Sequence, residues 1–306
     1  MNSKKNAVFI ILGQSNAVGH GIPLDEKDII KEPLENVFML DREHNQSYDS
    51  TELCWSHFVS TGTNVAEAQD NTYSVPYCLA KLWQNEIDSG NNADLPNLYI
   101  IQIAIGAQGV CDKYMWYPQR EKKLVPGKLG TVDISLFPLA NHIFSLLDES
   151  FEKMGEEYEI IGLHWRGGEE DTQEEKELLE KELEKIYIDI LDSFNEILKY
   201  PPIVLHRIVC PDRFITKDPS GRTLENMRYV NLVFENLEKK YPNADIFDMR
   251  KAPHFIPDVK GNGLFIDDFV HFTPESNFWL AGTIIEDYTK RSYLQNIRLS
   301  NLFKIF

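Results

Sequence analysis

A serine hydroxyl becomes a nucleophile when a base removes its proton, and an imidazole is that base when a carboxylate fixes its tautomer and stabilises its cation. Two distant segments of this 306-residue chain supply the three groups. The first is Gly13-Gln14-Ser15-Asn16-Ala17-Val18-Gly19-His20-Gly21, which directly follows the apolar run 7–12. Small residues around Ser15 suit a tight turn with an exposed hydroxyl, and a helix opening there favours negative charge beside it. The second is Asp267-Asp268-Phe269-Val270-His271-Phe272-Thr273-Pro274. A carboxylate three residues before a histidine reaches the ring when the backbone turns, so Asp268 meets the spacing and Asp267 points away. Taken singly, each segment has an ordinary reading: a turn whose serine caps a helix, and a histidine making a polar contact before a helix.

These groups can meet only if the elements between them bring the two ends of the chain together. Strands are expected at 7–12, 98–105, 159–164, 203–209 and 244–248. Their few alternating polar residues mark strands covered on both faces. Helices are expected at 75–88, 134–153, 173–199 and 222–240. The third carries the stripe Leu179, Leu183, Ile186, Ile190, Phe194 and Ile197, spaced by three or four. Its charged start, with Glu177 and Lys181 at i,i+4, is a solvated face. A last helix opens with Thr273 as N-cap and Pro274 at the first helical position. Strand–helix alternation of this kind predicts one α/β domain with a central parallel sheet between helices. In such a sheet ligands bind beyond the carboxyl ends of the strands, where Ser15 falls.

Residues 41–73 and 107–132 are too long for plain connections and are candidate loops over a site. Trp55, Tyr114, Trp116 and Tyr117 lie in them, either to stack on a ligand ring or to pack in the core. His206 and Arg207 stand near the end of a strand, from which Arg207 is a candidate to reach the site. His20 is a candidate to line the pocket. The tail 291–306 mixes polar residues with leucine, isoleucine and phenylalanine, and is expected to dock on the domain formed by residues 1–290.

Composition narrows the function classes. Thirty-one basic against 48 acidic residues give a formal net charge of −17, which repels phosphate backbones and argues against a nucleic-acid partner. No stretch has the ~20 consecutive apolar residues of a membrane span. The six apolar residues at 7–12 lead straight into Gly13 with no small-residue cleavage site, so a cytoplasmic protein is expected. Cys54, Cys78, Cys111 and Cys210 form no metal-ligand pattern and are expected as reduced thiols. The sequence is silent on oligomeric state.

Gly-Gln-Ser-Asn-x-x-Gly after the first strand, with Asp-x-x-His near the C-terminus, resembles the SGNH hydrolases. More narrowly it resembles the sialate O-acetylesterase-like branch that includes the acetylxylan esterases of carbohydrate esterase family six. The resemblance implies a flavodoxin-like three-layer fold and a serine esterase in which Ser15, His271 and Asp268 are catalytic. It implies a sugar ester as substrate, small molecule or oligosaccharide, with acetyl as the acyl group. No metal and no organic cofactor is implied. The backbone N–H groups of Ser15 and Gly106 would form the oxyanion hole, with Gly106 heading Gly106-Ala107-Gln108-Gly109. The segment from Trp165 to Asp171 is similar to the family's Trp-x-Gln-Gly-Glu-x-Asp block. Trp165, Gly168, Glu169 and Asp171 match, but the glutamine falls on Gly167. That glutamine is a side-chain oxyanion donor, and losing one such donor costs ~10²–10³ in turnover. Arg166 or Gln108 replaces it, or the enzyme is slow, or the protein binds sugars without turnover. Gln14, His20, Gln108, Arg166 and Glu169 are the candidate substrate-binding residues. An esterase for longer acyl chains is the remaining alternative.

Overall fold

The computed structural model describes residues 5–67, 71–119, 124–127, 130–133, 135–209, 223–257 and 259–302. Elements run in the order β1 (Asn6–Gly13), α1 (Ser15–Val18), β2 (Val37–Leu40), α2 (Arg42–Asn45), β3 (Trp55–His57), α3 (Val75–Asp88), β4 (Leu98–Ala104), β5 (Leu124–Gly127) and β6 (Gly130–Asp133). There follow α4 (Leu136–Ser145), α5 (Leu147–Met154), β7 (Tyr158–Arg166), α6 (Lys176–Leu178), α7 (Glu184–Leu198), β8 (Ile203–His206), α8 (Leu224–Lys240), β9 (Ala244–Phe247) and α9 (Pro274–Leu302).

The main sheet has seven strands in the order β3-β2-β4-β1-β7-β8-β9. The five strands expected from sequence are its last five, β4-β1-β7-β8-β9. Numbered among themselves they run 2-1-3-4-5, the flavodoxin-like order, in which strand order reverses at the first strand. Every pairing in the sheet is parallel except β2 with β3. The expected central parallel sheet is present, and at its edge β3, joined to β2 through α2, adds one antiparallel strand. β5 and β6 form a separate antiparallel hairpin.

Every residue of β1 is buried, because both of its faces are covered. Val8, Ile10 and Leu12 pack with Leu139 and Ile143 of α4, Phe194 of α7 and Phe234 of α8. Phe9 and Ile11 face the opposite way, with Trp83 of α3 and Leu280 of α9. The three layers follow from this alternation.

Two helices differ from expectation. The segment 134–153 is broken at Leu146, yet Leu147 and Phe151 continue the buried stripe of Leu139 and Ile143. The segment 173–199 begins at Lys176 and passes through a π-turn at Leu179–Leu183. Asp171 and Thr172, just before it, are buried and held by other bonds. The tail is not a separate segment: the backbone of α9 runs through it to Leu302. Its docking lies outside the described residues, as does Cys210.

Candidate active site

Gly13 ends β1 at φ +136°, and a Cβ there would lie 2.1 Å from the Arg166 carbonyl oxygen. Glycine is required because the chains leaving β1 and β7 pass this closely. The Gln14 amide donates to that carbonyl at 3.1 Å, and its side-chain oxygen accepts from the Glu170 amide at 3.1 Å. The Trp116 indole donates to the Gly13 carbonyl at 2.9 Å. Fixed from three sides, the chain turns into the single helical turn of α1. Ser15 is its first residue, and Gly19 ends it in the left-handed conformation at φ +91°.

The second segment is a tight hairpin before α9. Phe265 and Phe272 pair across it with rings stacked at 4.7 Å. Ile266 donates to the His271 carbonyl at 2.9 Å, and Phe269 at the bend has φ +63°. The bend folds the Asp268 carboxylate back on its own loop. One oxygen accepts from the Val270 and His271 amides, both at 2.9 Å. The other lies 2.5 Å from His271 Nδ1. Burial pushes the Asp268 carboxyl up, but the two amides and the imidazole outweigh it and hold it below the usual carboxylate range. An ionised carboxylate only accepts, so Nδ1 carries the proton and Nε2 is left as the basic nitrogen.

Asn16 joins the two segments. Its side-chain amide donates to the Val270 carbonyl and to Glu169 Oε1, each at 3.0 Å, and its oxygen accepts from the Phe272 amide at 3.4 Å. One residue after the candidate nucleophile thus grips the backbone on both sides of His271. Ser15 and His271 line one cavity of about 590 Å³. Around them stand Gln14, His20, Glu67, Gly106, Glu169, Glu170 and Gln173. The cavity lies beyond the carboxyl ends of β1, β4 and β7, where the strand order reverses.

No known family model and no curated protein matches the sequence. Solved structures do. A protein from Arabidopsis thaliana is 15% identical with a TM-score of 0.55, over 92% of this chain and 99% of its own. NanS is 14% identical with a TM-score of 0.56, over 94% of this chain and 98% of its own. The chain shares the fold of these two proteins. At such identities the likeness is one of fold, and the chemistry rests on the side chains.

The predicted oxyanion donor is already engaged. The Gly106 amide donates to Glu67 Oε2 at 2.9 Å, and Glu67 Oε1 lies 3.8 Å from His20 Nε2. A Cβ at Gly106 would come 2.7 Å from the His20 ring, so glycine is needed for His20 to lie across it. The His20 ring meets that of His271 edge-on at 5.8 Å. Glu67 was not singled out in the sequence: it sits in a long polar stretch, with no motif to separate it from other acidic residues.

Two expected substrate-binding residues do not line the cavity. Arg166 is buried beneath it, donating to Asn277 Oδ1 at 3.0 Å and stacked 4.4 Å from the Phe272 ring. Burial pushes its guanidinium down to about 10. Gln108 turns its side-chain oxygen to the Met115 amide at 3.1 Å. Neither supplies the donor missing at Gly167, where a Cβ would sit 3.4 Å from Gly13 and 3.7 Å from the Gln14 amide nitrogen.

The loop aromatics serve the core. Trp116 is buried against Trp165, Tyr114 donates to Glu174 at 2.9 Å, and Trp55 packs on Tyr99. Tyr117 packs against the same core. Arg207 pairs with Glu235 and Asp248. His206 is buried, 3.0 Å from His164. Asp171 holds the 106–111 loop from below: it accepts from the Val110 amide at 2.8 Å and the Tyr187 hydroxyl at 3.2 Å.

Proposed function

We propose that this protein is a serine esterase that removes a small acyl group, acetyl foremost, from a sugar ester. Ser15 Oγ attacks the acyl carbon while His271 Nε2 takes the hydroxyl proton and Asp268 stabilises the imidazolium. The amides of Ser15 and Gly106 hold the oxyanion. Collapse of the tetrahedral intermediate breaks the bond to the sugar oxygen, which leaves with the proton from His271. Water, deprotonated by His271, then attacks the acyl-serine; the carboxylic acid departs and the proton returns to Ser15 Oγ. The observation that carries this reading is that Ser15 and His271 line one cavity, with Asp268 on the imidazole's Nδ1 and the backbone on both sides of His271 tethered to the serine's neighbour Asn16. The Glu67 carboxylate supports it in a second way, since an anionic oxygen already rests on the Gly106 amide. For turnover Glu67 must swing away.

That same occupancy, with the bare Gly167, favours the second reading of a sugar-binding protein without turnover. A p-nitrophenyl ester series decides among the readings. Hydrolysis that is fastest for acetate and abolished by Ser15→Ala is expected. An optimum above about six carbons means an esterase for longer chains, and no hydrolysis at any length means a binder.

A further inference from the structure

We infer that the ester this cavity accepts is neutral or carries an ammonium group, and that sugars bearing a carboxylate are rejected. The inference deepens the esterase reading by naming the substrate's charge class.

Three carboxylates, Glu67, Glu169 and Glu170, stand in the wall of the cavity. They come from two parts of the chain, before α3 and after β7, so a substrate seated between them meets acidic side chains from both. No Lys or Arg among the described residues lines the cavity. The two lining groups able to become cationic, His20 and His271, already have carboxylate partners in Glu67 and Asp268. The nearby cations are engaged elsewhere: Arg166 lies beneath the floor on Asn277 and Phe272, and Lys113 is paired with Glu174. Recognition of a sugar carboxylate calls for a guanidinium fork or an ammonium, and the described residues of this wall offer neither. Burial raises the Glu170 carboxyl above its usual range, against the opposing effects of Lys113 and the Tyr114 hydroxyl, with Glu174 and Glu169 adding to the rise. Three carboxylates lining one cavity disfavour a fourth negative charge between them, and the net charge of −17 extends that field outward.

The test compares three acetyl esters on the same hydroxyl of glucose, glucosamine and glucuronic acid, at low salt. The expected order of kcat/KM is glucosamine, then glucose, then glucuronic acid, with the last at least about tenfold below glucose. A tenfold ratio corresponds to about 1.4 kcal/mol. The gap should narrow severalfold as NaCl rises from about 0.05 M to about 1 M, where the screening length falls to ~3 Å. It should narrow likewise in the double variant Glu67→Gln/Glu170→Gln. Equal rates for the glucose and glucuronic acid esters, or a gap that ignores both salt and the substitutions, would overturn the inference. If the variant does not fold, the salt series on the parent decides alone. Failure to hydrolyse any ester sinks the esterase reading instead, and calorimetric binding of the same three esters then confirms or overturns the charge order.

Discussion

On the esterase reading, removing the Glu67 carboxylate should speed ester hydrolysis. In the structure it accepts the Gly106 N–H at 2.9 Å, and a substrate oxyanion needs that donor. A hydrogen bond to a charged group contributes ~1.5–3 kcal/mol. The Glu67 side chain is 24% exposed, so water competes for it, and about 1–2 kcal/mol is a fairer figure for clearing the site. At 1.4 kcal/mol per tenfold, Glu67→Ala should raise kcat/KM on p-nitrophenyl acetate by roughly 5- to 30-fold. Glu67→Gln keeps an acceptor oxygen but loses the charge, and neutral hydrogen bonds are about half as strong, so its gain should be smaller. Steady-state kinetics at neutral pH, with folding checked by circular dichroism, measure both. Rates at or below the parent's for both variants would refute the view that Glu67 obstructs the oxyanion position and would make it a substrate ligand or a support for His20.

Asn16→Ala severs the tethers to Val270, Phe272 and Glu169, so kcat/KM should fall by at least about tenfold while the melting temperature falls by only a few degrees; unchanged kinetics would show that the His271 hairpin holds its place alone. Asp171 is pushed up to about 7 by burial, against the opposing bonds from Val110, Tyr187 and Cys111. A carboxyl whose folded pKa exceeds its unfolded value contributes stability that is full below the unfolded pKa, near 3.9, and is lost as pH rises through the folded one. Urea unfolding should therefore show Asp171→Asn gaining on the parent between about pH 4 and 7, and a difference constant across that window would contradict the shift. Buried His164, pushed down to about 3, works in the opposite sense, and comparing parent with variant cancels it.

The centre of the fold was legible because its strands are covered on both faces. β1, β4, β7, β8 and β9 therefore read as short apolar runs, while their flavodoxin-like order was implied by the family resemblance alone. β2 and β3 were not legible: each is at most four residues long, and β3 offers only a Trp-Ser-His run whose partner is chosen by tertiary packing. Local chemistry made the catalytic candidates readable. Ser15 needed glycines around it, and Asp268 and His271 needed only a three-residue bend. The cavity wall was harder. Arg166 ends β7 and Glu169 lies three residues on, past Gly168 at φ +115°, yet one is buried under the site and the other lines it. The loop aromatics read equally well as sugar platforms or as core; the Trp116 indole settles the matter by donating to the Gly13 carbonyl beneath the serine's turn. Asn16 was visible only as part of a motif, since its three partners lie about 150 and 250 residues away.

The most direct test of the account is whether Ser15 is an activated nucleophile. A fluorophosphonate probe followed by peptide mass spectrometry should label the parent at Ser15 alone, with labelling lost in Ser15→Ala and strongly slowed in His271→Gln. Labelling that is absent from the parent, or equally fast with and without the imidazole, would mean that Ser15 and His271 do not share a proton in this cavity.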